Sequence, residues 1–176
     1  MVKILKPFLY TVFFIMALIF FIPKISTYYY VEHELKKHKV ILSGEEAIDN
    51  GLSLELHHVN VSYDAIQSAK VENINIKLLG FYNTIAFDNV KLGNLASSFI
   101  PLDVKEIEIA YTVLDPLHII AYSEGKFGSA EAKVHILDRN LRATIKPSKL
   151  MLQKYKKALS MLKKQKNGEY TYDKTF

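Results

Sequence analysis

LELHHVNV (Leu54–Val61), AKVENINI (Ala69–Ile76), IAFDNVKL (Ile85–Leu92) and LDVKEIEI (Leu102–Ile109) are four copies of one eight-residue pattern. Positions one, three, six and eight are apolar, and all others are polar or charged except Ala86. Alternation sends successive side chains to opposite faces, so each copy reads as a half-buried strand. The alternation changes phase at the centre, at His57-His58, Glu72-Asn73, Asp88-Asn89 and Lys105-Glu106. Two adjacent polar residues there predict a β-bulge or a strand bend that returns the apolar set to one face. That face comprises Leu54, Leu56, Val59, Val61, Val71, Ile74, Ile76, Ile85, Phe87, Val90, Leu92, Val104, Ile107 and Ile109. The copies start at 54, 69, 85 and 102, which leaves room for a strand and a short turn each time. Four ordinary amphipathic strands without a true repeat would give the same β architecture.

Outward from the copies, Gly80, Gly93-Asn94 and Pro101 punctuate the gaps, and Asp115-Pro116 turns the chain after the fourth. Leu117 to Ser123, Lys126 to Leu137 and Asn140 to Ile145 read as three more strands, with turns at Glu124-Gly125 and Leu137–Asn140. Ser148 after Pro147 predicts an N-cap, opening a basic helix over 148–166. Its apolar stripe is Leu152, Tyr155, Leu159 and Leu162, and Lys154, Lys156, Lys157, Lys163 and Lys164 flank that stripe. Those lysines are candidates to touch anionic headgroups or a partner protein; the alternative is that the stripe closes the β-core and the lysines are solvated. Glu169 to Phe176 alternates like a last strand.

Toward the amino terminus, Glu45 to Asn50 reads as a turn of helix and Val40-Ile41-Leu42 as a short strand. Ser26 to Lys39 predicts a helix capped by Ser26 or Thr27, with Tyr28, Val31 and Leu35 at helical spacing. Before it, Pro7 to Pro23 is uncharged, and Ile4-Leu5 and Ile25 extend it to the ~20 residues a membrane-spanning helix needs. Its anchor residues are Pro7, Phe8, Phe13, Phe14, Ile15, Leu18, Phe20 and Phe21, followed by Tyr28, Tyr29 and Tyr30 at the expected headgroup level. A cleaved signal peptide would end in small residues, whereas this segment ends Ile22-Pro23-Lys24-Ile25, which favours an uncleaved anchor. Lysines flank both ends, so charge counting alone does not orient it. The short basic tail is easily retained inside, which places the amino terminus in the cytoplasm and the rest across the membrane.

Composition narrows the chemistry. The 176 residues contain no cysteine, which removes disulfides, thiol nucleophiles and Cys-based metal sites. The net charge of +5 comes almost wholly from lysine, with arginine only at 139 and 142, which argues against nucleic acid as a partner. Of the six histidines, none forms a helical metal pair; His57-His58 straddle a phase change, and His118 and His135 lie in different strands. No nucleophile elbow, phosphate loop or paired-carboxylate motif occurs, so we expect neither an enzyme nor a cofactor. If two short helices leave part of the apolar face open, that part would receive a lipid chain or another protein.

LSLELHHVNVSY (Leu52–Tyr63), FYNTIAFDNVKLG (Phe81–Gly93) and GKFGSAEAKVHILDRNLRATIKPS (Gly125–Ser148), set behind an N-terminal apolar helix, resemble the type II secretion system protein N family and related AsmA-like envelope proteins. The resemblance implies a bacterial inner-membrane helix followed by a periplasmic region of repeated strands, and it brings no catalytic residues. The expected chain is therefore mainly β: an N-terminal transmembrane helix, then a curved, mainly antiparallel, repeat-like sheet with flanking helices. The divisions are an anchor over 1–25, a juxtamembrane helix and connector over 26–50, and a β-rich domain over 51–176. The expected role is a non-enzymatic assembly component of a secretion, pilus or competence system, in contact with membrane lipids and other envelope or secretion proteins. The alternative is an AsmA-like protein that binds or conducts lipid along its apolar sheet face.

Overall fold

A computed structural model describes residues 2–176, with side chains from Leu5 onward. Met1 and the Lys3 side chain of the basic tail therefore lie outside the described residues.

Helix α1 (Val2–Phe21) stops before Pro23, whose missing N–H and fixed φ end a helix. The chain restarts as α2 (Lys24–Lys37), inclined 57° to α1. Pro23 holds the N-cap position and makes no side-chain cap, so neither Ser26 nor Thr27 caps this helix. Thr27 lies inside it, with its hydroxyl donating to the Pro23 carbonyl. Among the described residues, eleven strands then form one antiparallel sheet. The first are β1 (Val40–Ser43), β2 (Glu46–Asp49), β3 (Ser53–Tyr63), β4 (Ile66–Leu78), β5 (Tyr82–Leu92) and β6 (Asp103–Thr112). They continue with β7 (His118–Gly125), β8 (Gly128–His135), β9 (Asn140–Pro147), β10 (Lys163–Lys164) and β11 (Tyr170–Thr175). From β3 to β9 each strand pairs with the next, so the sheet is a meander.

The four sequence copies are β3 to β6, and their phase changes line up. His57–Asn73–Asp88–Glu106 is one cross-strand row and Val59–Val71–Val90–Val104 the row after next. The intervening His58, Glu72, Asn89 and Lys105 form a crease that all four strands cross in step. His58 and Asn89 cross it with φ of 58° and 52°. Register is the same on both sides of the crease in these three ladders, so it is a shared bend rather than a bulge. Strand β7 lacks the extra polar residue, so between β6 and β7 the register shifts and Lys105 is bulged out.

All the apolar positions of the copies thereby share one face. Leu54–Ile76–Ile85–Ile109 and Leu56–Ile74–Phe87–Ile107 are two of its rows. The rows run on through Ala121, Ala132 and Ala143, and through Ser123, Ala130 and Ile145. Leu56 and Val59 are the most completely buried, in β3, the strand that α2 approaches. Full burial of each is worth about 1.5–3 kcal/mol.

Three local expectations are corrected. Glu45 to Asn50 is not helical: Glu46–Asp49 pairs with Leu54–His57, because the lower edge of β3 offers free backbone groups that a short helix would leave unmet. The basic helix over 148–166 is two short ones, α3 (Lys149–Lys154) and α4 (Lys156–Leu159), which break at Tyr155 (φ −116°, ψ 32°). Like charges at Lys154, Lys156 and Lys157 deprive a long helix of surface support, and Lys163–Lys164 is drawn into pairing with β11. Third, Met151 and Leu159 are the buried residues of this stretch, while Leu152, next to Met151 in the same helix, is exposed, so α3 turns a different face to the sheet than the stripe predicts. The Ser148 cap is present: its hydroxyl accepts from the Met151 amide at 3.2 Å.

Candidate functional site

The features that stand out are an exposed apolar helix and the half-covered face to which it leads. Along α1, Phe8, Phe13, Phe14, Ile15, Leu18, Phe20 and Phe21 are all exposed, on every side of the helix. Pro7 sits in its second turn, where the chain stays helical. A helix that is apolar all round needs an apolar surrounding. Among the described residues no single helix is long and apolar enough to cross a membrane, but the bent pair Leu5–Phe21 and Lys24–Lys37 passes together.

The junction between α1 and the domain is built tightly. Lys24 is only 3% exposed, and its ammonium donates to the carbonyls of Ile19, Phe20 and Ile22 at 3.1–3.4 Å. These are carbonyls that the end of α1 would otherwise leave unpaired, and the helix dipole favours a cation there. Asp49 on β2 completes the arrangement, 3.9 Å from the ammonium and accepting from the Lys24 amide. The Phe20 ring packs on Gly51, where an added Cβ would come within 2.2 Å of it. Just beyond, Tyr28 is buried and donates to Glu45 at 2.8 Å. Burial and that carboxylate raise the Tyr28 pKa, so it stays a neutral donor. Tyr29 and Tyr30 are exposed.

No family model, curated protein or solved structure matches the chain.

The apolar face is closed unevenly. Met151 and Leu159 from α3 and α4, Phe127 from the β7–β8 turn and Tyr28 from α2 join Val59, Val71, Val90 and Val104 in one core. Farther from the crease, Ile76, Ile85, Ile109, Ile119, Val134 and Leu141 are half-buried. The close helix–sheet approaches are of α2 to β1, β2 and β3 and of α3 to β9. On this side of the crease the face is covered less completely than at Val59, Val71, Val90 and Val104.

The other face is polar and holds a trough of about 670 Å³, lined by residues that include Glu106, Glu108, Tyr122, Glu131, Arg142 and Lys146. Two of its cations are already paired, Arg142 with Asp173 at 2.7 Å and Lys146 with Glu169 at 3.3 Å. His57 Nδ1 lies 2.6 Å from Asn73 Oδ1 on this face. His118 and His135, directly paired across β7 and β8, have rings 4.7 Å apart. Among the described residues no group of three or more acidic or histidine side chains is arranged to hold a metal ion.

Lys154, Lys156, Lys157, Lys163 and Lys164 are all exposed, but they sit on two short helices and a two-residue strand rather than on one helical stripe. Sequence reasoning found the apolar face, which has a period. It missed Lys24, Asp49 and Glu45, which have none: single polar residues become partners only when the fold brings α1, α2 and β2 together.

Proposed function

We propose that this chain is a non-enzymatic, single-pass membrane protein whose β-domain holds hydrophobic chains, such as lipid acyl chains, along the open part of its apolar face. The observation that carries this is the partly exposed band of Ile76, Ile85, Ile109, Ile119, Val134 and Leu141, which keeps more contact with solvent than Val59, Val71, Val90 and Val104 in the core beneath Tyr28, Met151 and Leu159. Leaving such surface in water costs about 25 cal/mol per Å², so a hydrophobic occupant gains what water loses. Helix α1 supports the reading: its side chains from Phe8 to Phe21 are mostly apolar and exposed, and together with α2 it makes a bent pair long and apolar enough to be a candidate span. The resemblance to AsmA-like envelope proteins points the same way, with the anchor in a bacterial inner membrane and the domain periplasmic.

One observation favours a second reading, an assembly component of a type II secretion, pilus or competence system. Strand β10 pairs only with Tyr170 and Thr171, so along Tyr172–Thr175 β11 has a paired neighbour on one side alone. An edge of this kind accepts a strand from another subunit.

Native mass spectrometry of the full-length protein, crosslinked from the periplasmic side and released in mild detergent, separates the readings. Retained phospholipid that is lost in Ile85→Asp and Ile109→Asp, with the circular dichroism spectrum unchanged, is the expected result. Lipid-free protein crosslinked through β11 to other envelope proteins would replace it with the assembly role.

A further inference from the structure

The α1 end of the sheet has its own chemistry, apart from the apolar face. The turns at that end touch one another in sequence. Ile19 lies against Gly80 in the β4–β5 turn, where an added Cβ would be 3.8 Å from its Cδ1. In the β6–β7 turn, the Val113 amide donates to the Phe81 carbonyl at 3.1 Å, and the Thr112 hydroxyl donates to the same oxygen at 3.1 Å. In the β8–β9 turn, the Ile136 amide donates to the Leu117 carbonyl at 2.9 Å. The result is one continuous rim that starts at the last turns of α1.

The tips of this rim are apolar and solvent-facing: Phe81 is 66% exposed, Val113 51% and Leu114 92%. Asp115 and Asp138, the acidic residues of these turns, are each engaged by a histidine at the start or end of a strand. Asp115 accepts from His118 Nδ1 at 2.6 Å, and Asp138 lies 3.0 Å from His135 Nδ1. Phenylalanine, valine and leucine are thus the most exposed apolar side chains of the two turns nearest α1.

We infer that the Phe81 and Val113–Leu114 tips insert into the headgroup layer of the membrane that α1 enters, seating the sheet end-on against the bilayer. The inference rests on the reading of α1 as an anchor, and the depth follows from the contact with Ile19. That residue lies four positions before Pro23, so the β4–β5 turn meets α1 about 6 Å below the end of its apolar run. Apolar side chains of interfacial segments sit at a comparable depth, about 5–10 Å into the headgroup–acyl boundary. Lys24 holds α1 to β2 through Asp49, which ties the rim to the helix axis. Strand twist of roughly 20–25° per step carries later turns out of the plane, so the seat is confined to the tips nearest α1. A sheet seated this way opens the lower part of its apolar face directly onto the lipid.

The chain has no cysteine, so single-cysteine labelling tests this in the full-length protein. Nitroxides at Phe81→Cys, Leu114→Cys, Phe13→Cys and Leu95→Cys are read for oxygen against water-soluble nickel accessibility in phosphatidylethanolamine–phosphatidylglycerol vesicles. Leu95 lies beyond β5, at the opposite end of the sheet, and is 73% exposed, so it marks an apolar side chain kept in water. The expected result is oxygen-dominated relaxation at Phe81 and Leu114, close to that at Phe13, with at least tenfold greater nickel access at Leu95. Nickel access at Phe81 and Leu114 equal to that at Leu95, with Phe13 lipid-shielded, overturns the seat and leaves the anchor intact. Nickel access at Phe13 overturns the anchor. Were Phe81 and Leu114 still shielded in that case, the rim would stand as a membrane contact in its own right.

Discussion

His118 and His135 meet edge to face at 4.7 Å on paired positions of β7 and β8, and each has its Nδ1 turned to an aspartate of its own turn. Asp115 is the acceptor for His118, and this hydrogen bond, helped by the charges of His118, Lys133 and His135, holds its carboxyl below the usual carboxylate range. At His135 both groups of Asp138 are close to Nδ1, the backbone amide donating at 3.1 Å and a carboxylate oxygen 3.0 Å away.

The depressed Asp115 pKa sets a direction for pH. A carboxylate whose pKa is lower folded than unfolded contributes stability above its unfolded pKa of about 3.9. That contribution disappears as pH falls through the folded value. Thermal melts of the native protein and Asp115→Asn should therefore differ at pH 6, begin to approach one another only below about pH 4, and converge as pH falls through the lower folded value. A difference that grows on acidification would contradict the assignment.

The crease makes a backbone prediction. His58 has φ of 58° and an exposed side chain, so its cost is conformational rather than one of lost packing. His58→Gly should keep or raise stability by up to about 1 kcal/mol, because glycine tolerates this region freely. His58→Ile should lose about 2 kcal/mol, since a β-branched side chain resists positive φ. Chemical unfolding followed by circular dichroism reads both. Equal midpoints for the two variants would mean the strand does not need the bend.

This crease also shows what the sequence could carry. Four doubled polar pairs at the same place in four strands predict a common bend, because backbone parity is a local property. Whether it is a bend or a bulge depends on the neighbouring strand: β3 to β6 all share the extra residue, while β7 lacks it and forces Lys105 out. The same limit explains Glu46–Asp49, whose strand exists only because β3 has a free edge, and Tyr155, where pairing of Lys163–Lys164 overrides helical spacing. Lys24 is the clearest case. Next to an apolar segment it reads as a flanking charge, yet it is buried as the cap of α1.

Two glycines with positive φ should respond very differently to alanine. At Gly128, φ is 116° and an added Cβ would sit 2.1 Å from the Lys146 carbonyl oxygen. That carbonyl is backbone and cannot rotate aside, so Gly128→Ala should cost about 3 kcal/mol or more, the upper end of local strain. At Gly168, φ is 86° but nothing lies within 4 Å of the Cβ position, so the variant should lose only about 1 kcal/mol. Melting temperatures of the two variants give the ordering directly. A Gly128→Ala protein as stable as Gly168→Ala would mean that the β8–β9 pairing at Gly128 and Pro147 is loose.

The uneven cover of the apolar face can be read from two truncations in neighbouring rows. Leu56 is almost fully buried beside α2, and Leu56→Ala leaves a cavity the surrounding side chains cannot fill, at a cost of about 2–5 kcal/mol. Ile109 lies in the next row but is only partly buried, so water reaches the vacated space and Ile109→Ala should cost about half as much. Denaturant midpoints of the two variants in detergent-free nanodiscs and in detergent give the contrast. If lipid occupies the open part of the face, the loss at Ile109 should be larger in nanodiscs, where chains are present to be displaced. The loss at Leu56 should be the same in both. A loss at Ile109 that matches Leu56 in every medium would mean the face is closed by protein, and the proposed hydrophobic cargo would have no place to lie.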